Sequence, residues 1–387
     1  MENSPFIYGT TVSAGAFTDR EEDSKKLYHN LISGINTTII SPRRWGKSSL
    51  VEKVISLINQ KEKKTKTLIL DLFSVSSEEE FLERFAVQVI KSSSSKWNDW
   101  VNSTKDFFKR LIPKISIGVD PSVDFNISFD VEELKANSEE ILNLPEEIAK
   151  KKNIKLIICL DEFQNLATFE NYEHLEKKMR AAWQRHQHAT YCLFGSKRHI
   201  MSEIFNEPSK PFYRFGDLML LQKIHTKSWV KFIMKKFRDT NKKISPKNAE
   251  KIPTIMKNHS WYVQQFANYI WNKTKNEVTD EIILSALKEL IYANVPLYQK
   301  DVENLSGTQL NLLKAIVAGE SQLTSNAVMQ KYRIGTPRNV LKNKDLLIKN
   351  DMIDQRQNTY QMLDPAFELW FKNQFFGFDF SKVLTLE

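Results

Sequence analysis

A chain of 387 residues with a formal charge of +9, 41% hydrophobic and 27% charged, has the balance of a globular protein and is long enough for two or three cores. No apolar run approaches a membrane span, and the N-terminus lacks the basic-then-apolar layout of a secretion signal. Two cysteines cannot build a disulfide framework; Cys159 and Cys192 fall in expected strands and read as small core residues, and together these features point to the cytoplasm.

In chain order, residues 17–34 read as a helix opened by Thr18-Asp19-Arg20-Glu21, where Thr or Asp is a good N-cap. Ile35–Ile40 is a short apolar strand. It runs into Ser41-Pro42-Arg43-Arg44-Trp45-Gly46-Lys47-Ser48-Ser49 and a helix to about Gln60 that keeps Leu50, Val54, Leu57 and Ile58 on one side. Thr67–Phe73 is a strand and Glu78–Lys91 a helix. Residues 92–138 are irregular, with alternation at Ile115–Val119 and Val123–Phe129 that fits either a hairpin or a flexible excursion. A helix near Ser138–Lys151 leads to the apolar run Lys155–Leu160, which closes on Asp161-Glu162. Tyr172–His186 is helical, and Thr190–Phe194 and Asp217–Leu221 are strands. This alternation predicts a parallel α/β sheet with helices on both faces.

Past residue 222 only helices are expected: Ser228–Arg238, Pro246–Lys257, Trp261–Lys275 and Thr279–Asn294. Pro296 and the polar stretch Lys300–Ser306 mark a boundary. Thr308–Val317, Ser325–Tyr332 and Thr336–Ile348 then form three helices, and Met352–Leu363 a hairpin turning at Gln357-Asn358. Three helices and a β wing describe a winged helix, whose third helix would enter a DNA major groove and carries Arg338, Asn339, Lys342, Asn343 and Lys344. The expected domains are 1–222, with the irregular insertion at about 92–138, then 223–300 and 301–387.

The strand–loop–Gly-Lys-Ser–helix layout is that of a P-loop. Backbone N–H groups at the helix start face a phosphate. Gly46 lets the backbone approach closely, Lys47 supplies charge for the β- and γ-phosphates, and the Ser48 hydroxyl can ligate Mg²⁺. Ser41 stands where the usual pattern has glycine, and would be strained if the loop needed positive φ there. A strand apolar on both faces that ends in two carboxylates is a Walker B arrangement, since ligands of open α/β sheets bind beyond the carboxyl ends of strands. Asp161 would hold Mg²⁺, and Glu162 would orient or deprotonate the attacking water. The plain alternative is a strand followed by a charged helix cap.

The basic residues cluster in the helical segment, where Lys227, Lys231 and Lys235 share one helix face and only Asp239 and Glu250 oppose the charge between 223 and 275. That face is either a solvated lysine face or a contact for nucleic acid or an acidic partner. In the terminal module Glu320, Asp345, Asp351, Asp354, Asp364, Glu368, Asp379 and Glu387 nearly match the basic residues, which weakens a DNA reading. The seven histidines are scattered, and no Cys/His metal spacing occurs.

The chain resembles the STAND-related, AAA+-type ATPases of archaea and bacteria. The resemblance rests on Phe17-Thr18-Asp19-Arg20-Glu21, Ser41–Leu50, Leu160-Asp161-Glu162-Phe163-Gln164, Phe194-Gly195-Ser196-Lys197, Pro211-Phe212-Tyr213-Arg214 and Asp364-Pro365-Ala366-Phe367. It implies a P-loop NTPase (AAA+-like) parallel sheet sandwiched by helices, then an all-α lid and a winged-helix domain, and a switch driven by nucleotide state. It also implies ATP or ADP with Mg²⁺ as ligands. Residue by residue, Ser41, Pro42, Arg43, Arg44, Trp45, Gly46, Lys47, Ser48 and Ser49 match the P-loop, and Asp19 and Arg20 a nucleotide-contacting turn. Ser48 and Asp161 match the metal ligands, Glu162 the water-activating carboxylate, Ser196 a polar sensor of the γ-phosphate and Arg214 a phosphate-reading arginine. Otherwise Ser196 is a strand-end turn and Arg214 a surface ion pair. In the lid, Asn258-His259-Ser260-Trp261 replaces the usual Gly-x-Pro, with His259 either a nucleotide contact or a cap, and no sensor arginine is evident. Hydrolysis is therefore expected to be slow or partner-dependent.

Three functions compete: an ATP-binding switch with slow ATPase activity, an ATP-dependent DNA-binding protein acting through the winged helix (Arg338, Asn339, Lys342, Lys344) and the basic lid, and a non-hydrolysing pseudo-ATPase scaffold. Nucleotide is the expected ligand; DNA, a protein partner or self-association are the further possibilities, and no membrane is expected.

Overall fold

A computed structural model describes residues 3–10, 20–93, 116–118, 126–128, 131–356 and 359–385. The chain divides into two compact units: Arg20–Arg43 with Lys47–Gln222, and Met1–Asp19 with Arg44–Gly46 and Lys223–Glu387.

The first is an α/β unit. Its elements in order are α1 (Glu21–Ile32), β1 (Thr37–Ile40), α2 (Lys47–Lys61), β2 (Thr65–Asp71), α3 (Glu78–Ser92), β3 (Ser116–Gly118), β4 (Asn126–Ser128), α4 (Val131–Ala136), α5 (Ser138–Lys152), β5 (Lys155–Asp161), α6 (Tyr172–Trp183), β6 (Ala189–Gly195), α7 (Arg198–Asn206) and β7 (Asp217–Leu220). Five strands form one parallel sheet in the order β2-β5-β6-β1-β7. Strands β1 and β6 are buried throughout and β5 from Leu156 to Leu160, as a parallel strand covered on both faces must be. The edge strand β2 leaves Ile69 and Asp71 exposed. Cys159 and Cys192 are register partners, free and buried. Beside the sheet, Trp183 stacks on Tyr191 with ring centroids 4.3 Å apart and on Phe85 at 5.9 Å. Short strands β3 and β4 pair antiparallel, with Ile117 opposite Ile127, which is the hairpin of the two alternatives the alternation left open.

Helix α7 is not evident from sequence. It has nine residues, and its N-cap Lys197 makes no side-chain capping bond, so both length and cap signals are weak. A 3₁₀ turn at Phe163–Thr168 directly after β5 was also unforeseen.

The second unit holds α8 (Thr226–Arg238), α9 (Pro246–Ile255), α10 (Ser260–Lys273), α11 (Asp280–Glu303), α12 (Gly307–Val317), α13 (Asn326–Tyr332), α14 (Pro337–Lys349), β8 (Ile353–Arg356), β9 (Thr359–Met362) and α15 (Pro365–Phe376), then a 3₁₀ turn at Phe380–Thr385. Clear caps set the starts: Ser306 and Gln309 form a capping box, and Ser245, Thr279, Ser325 and Thr336 each accept from a backbone N–H of the first turn. Strands β8 and β9 form the antiparallel wing; its turn residues Gln357 and Asn358 lie outside the described residues.

Helix α11 continues past Asn294, through Pro296, to Glu303. Proline in a helix leaves the carbonyl four residues earlier without a partner; that residue, Tyr292, is 58% exposed, so water can satisfy it. Beyond the proline, buried Tyr298 stacks on Phe367 at 5.1 Å. Helix α15, which has no apolar stripe to betray it, is started by Asp364, whose Oδ1 accepts from the backbone N–H groups of Ala366 and Phe367, followed by Pro365 in the first turn. One hydrophobic cluster runs continuously from Trp229 and Phe232 of α8 to Phe371 of α15, so the four-helix segment and the winged helix share a core. Tyr262 of α10 donates to Asp364, and Lys257 pairs with Glu368 of α15.

Candidate nucleotide site

The order of the sheet places the site. Strand β6 lies between β1, which feeds the P-loop, and β5, which ends in Asp161. The residue after β6, Ser196, therefore emerges between the two motifs.

In the loop from Ser41 to Gly46, Arg44 (φ 64°) and Gly46 (φ 93°) take the left-handed region. Ser41 does not; it is 1% exposed, and its hydroxyl donates to the Pro42 carbonyl at 3.2 Å. A side chain at the loop's first position thus carries no backbone strain here. Lys47, 6% exposed, and Ser48 open α2, with Ser49 buried behind them.

Six polar side chains meet here, from the two motifs, the turn after β5 and the residue after β6. The Ser48 hydroxyl donates to Asp161 Oδ2 at 2.9 Å, and the Glu162 N–H donates to Asp161 Oδ1 at 2.8 Å. Lys47 Nζ stands 3.9 Å from Glu162 Oε1. Ser196 Oγ donates to Glu162 Oε2 at 2.8 Å, and Gln164 Nε2 donates to the same oxygen. Glu162 itself has φ 52°, a conformation that costs a residue with a Cβ roughly 1–2 kcal/mol.

Burial acts on both carboxyls with different outcomes. It pushes Asp161 up to about 6, against the opposing pull of Lys47, Ser48 and the Glu162 N–H. For Glu162, burial is outweighed by Lys47, the donors Gln164 and Ser196, and Arg43, so its carboxyl lies below the usual range and is ionised at neutral pH. Asp161 is thus a half-buried carboxylate, beside the ionised Glu162, that accepts from a hydroxyl. That oxygen pair suits a hard cation such as Mg²⁺, which takes few protein ligands and completes its shell with water and phosphate. Among the described residues no group of three or more His, Cys, Asp and Glu side chains could hold a metal alone.

The remaining sequence candidates scatter. Pro42 and Trp45 are buried and Arg43 exposed. The Arg44 guanidinium lies 4.5 Å over the Trp261 ring, and Lys223 Nζ is 5.6 Å from the Trp45 ring centroid. Arg20 is 5% exposed and pairs with Asp23 at 3.0 Å; Asp19 lies outside the described residues. Arg214 is exposed, has φ 53° and lies over the Tyr213 ring at 5.2 Å, outside the Glu162 cluster. His259 occupies the N-cap of α10 without a side-chain cap bond. Its burial, with Lys223 and Arg44 nearby, pushes its pKa down to about 3, so the ring is neutral. On α14, Arg338, Asn339 and Lys342 are exposed, Lys344 lies 5.1 Å from the Tyr360 ring of the wing, and Asn343 is buried with its Nδ2 donating to Thr308. Gln164 was visible in the sequence only as part of the motif that follows Asp161, and no periodicity or charge signal marked it as a contact of Glu162.

Residues 296–373 match the family model described as a probable winged helix domain. No curated protein sequence matches the chain. Among solved structures, a Walker-type ATPase of Pyrococcus abyssi is similar at 17% identity and TM-score 0.65, covering 100% of this chain and 99% of its own. The ORC2 protein of Aeropyrum pernix is similar in its ADPNP–ADP complexes at 13% identity and TM-score 0.58, covering 99% of this chain and 98% of its own. Its ADP form gives 13% identity and TM-score 0.51, with 95% and 94% covered. At such identities the likeness is one of fold. The chain shares the fold of these structures, a parallel sheet flanked by helices with a winged helix toward the C-terminus. No helix among the described residues is long and apolar enough to cross a membrane.

Proposed function

We propose that this protein binds Mg-ATP at the P-loop and hydrolyses it slowly, as a nucleotide-dependent switch of the STAND-related, AAA+ kind. The observation that carries this is the mutual placement of Ser48 with Asp161 and of Lys47 and Ser196 with Glu162. In this reading Lys47 neutralises the β- and γ-phosphates, and Ser48 and Asp161 would hold Mg²⁺, which would offset charge on the phosphate oxygens. Glu162 takes a proton from water as the water oxygen bonds to the γ-phosphorus. The bond from that phosphorus to the β–γ bridging oxygen breaks with its electron pair left on ADP, and inorganic phosphate is released. Ser196 reads the γ-phosphate, and Arg214 serves as a second phosphate-reading group. The three-part division at about 222 and 300 belongs to the same proposal, with the lid and winged helix responding as one body because they share a core. The ligand-bearing ORC2 structures of the same fold are consistent with ATP or ADP as ligand.

The test is calorimetry of Mg-ATP with the parent and with Lys47→Ala. Binding in the parent that disappears in the variant supports a live P-loop; no binding in the parent overturns the reading and leaves the scaffold alternative.

A second reading has its own observation. Arg338, Asn339 and Lys342 stand exposed on the third helix of a winged helix, where a duplex major groove would meet them. Binding to random duplex that weakens steeply with salt supports it; no binding at low salt removes it.

A further inference from the structure

Gln164, two residues beyond Glu162 in the 3₁₀ turn, is 1% exposed. Its Nε2 and the Ser196 hydroxyl both donate to Glu162 Oε2. Oε1 is left facing Lys47 Nζ at 3.9 Å, on the P-loop side. The amide is kept there at a cost: Gln164 Oε1 is buried with no hydrogen-bond partner among the described residues, a desolvation penalty that an apolar side chain of the same size would avoid. The neighbouring strand also makes room for it. A Cβ on Gly195, the last residue of β6, would fall well inside contact with Gln164 Oε1 and 2.9 Å from Met201 Sδ. Gly195 has no positive φ, so its missing side chain is a matter of space.

We propose that Gln164 is a positioning residue for hydrolysis: with Ser196 it clamps Oε2 of Glu162, so that Oε1 is the oxygen that accepts the proton of the attacking water. The inference rests on the ATPase reading of the site. It assigns Gly195 as the residue that seats the amide.

The experiment compares steady-state ATP hydrolysis and Mg-ATP binding of the full chain with Gln164→Leu, which keeps volume and removes the donor. The expected result is a kcat lower by about 10- to 100-fold with KM and binding near parental values, since a displaced catalytic group costs rate and not ground-state binding. In a Glu162→Gln background the same substitution should change residual turnover by less than about twofold, because the two residues act as one unit. Gly195→Ala should copy the kcat loss, and adding Gln164→Ala should restore thermal stability without restoring kcat. If Gln164→Leu folds poorly, Gln164→Ala removes the donor without demanding new space and gives the same readout. Parental kcat in the Gln164 variants, or an equal loss in the Glu162→Gln background, overturns the inference while the ATPase reading stands. A parent that turns over no ATP removes the reading of the site as a hydrolase, and this inference with it.

Discussion

The Glu162 cluster and the exposed face of α14 are both candidate binding sites, but they are built differently. At Glu162 every donor is placed: Lys47, Ser196 and Gln164 converge on one carboxylate, and Ser48 on the next. Such preorganisation in a partly desolvated pocket strengthens each interaction. On α14, Arg338, Asn339 and Lys342 point to solvent, and the helix is held from its other side by Val340, Asn343 and Leu347. There the fold fixes where the side chains start and not what they bind. A buried cluster can therefore be read for chemistry, whereas a solvated face can be read only for the kind of partner it would tolerate.

If that contrast holds, single changes at the first site should act sharply and in separable ways. Glu162→Gln keeps the size of the side chain and removes the proton acceptor, so hydrolysis should fall by about 10²- to 10⁴-fold while Mg-ATP binding persists. Single-turnover measurements with calorimetry check this; turnover like the parent would show that Glu162 does not activate the water. Ser196→Ala removes one of the two donors to Oε2 and should cost less, about tenfold or more, again with binding kept. Arg214→Ala, outside the cluster, separates two cases: a rate that rises with protein concentration in the parent and is lost in the variant marks an arginine supplied between copies, and a concentration-independent rate marks an internal sensor.

On α14 the effects should be graded. Reversing charge with Arg338→Glu and Lys342→Glu together should weaken binding to random duplex by about 10-fold or more and reduce the salt slope by about 2, since each phosphate that is no longer neutralised takes about 0.9 from it. Fluorescence anisotropy over a salt series measures both. Binding unchanged by the pair would take this helix out of any DNA contact.

The difference also explains what the sequence made legible. The parallel sheet, the P-loop and the Asp161-Glu162 strand end were readable because continuous apolar runs and Gly-Lys-Ser are local signals. The winged helix was readable from helix spacing and a polar turn. Helix α7 was missed because nine residues with an uncapped start carry little pattern, and α15 because a helix buried around much of its circumference shows no stripe. The end of α11 was misplaced because Pro296 is an ordinary stop signal, overridden here by the packing of Tyr298 on Phe367. Gln164 was visible only as a member of the motif after Asp161, not as a contact: its bond to Glu162 depends on the 3₁₀ turn after β5 and on a glycine 31 positions later in the chain.

The smallest expected effect bears on each unit's stability. Each unit holds a neutral histidine, half-buried in the α/β unit and buried in the helical one. In the α/β unit His186 lies between the Tyr191 hydroxyl at 2.9 Å and Asn143 Oδ1 at 3.0 Å, and burial, partly offset by Glu146, pushes its pKa down to about 4. In the helical unit His259 is pushed to about 3 by burial and by Lys223 and Arg44. An unfolded histidine titrates near 6.5. Below that pH the unfolded chain binds protons that the folded units refuse, so each contribution is complete above about 6.5 and is lost as pH falls toward the folded value. Each histidine adds at most about 1.4 kcal/mol per pH unit to that slope. Denaturant unfolding between pH 7 and pH 4 should therefore show a falling midpoint. His186→Gln should flatten the fall for the α/β unit and His259→Gln for the helical one, whatever either does to stability at pH 7. A slope that neither substitution changes would mean that neither ring sets the acid limit, and that carboxylates such as Glu162 and Glu368, both held below the usual range, set it instead.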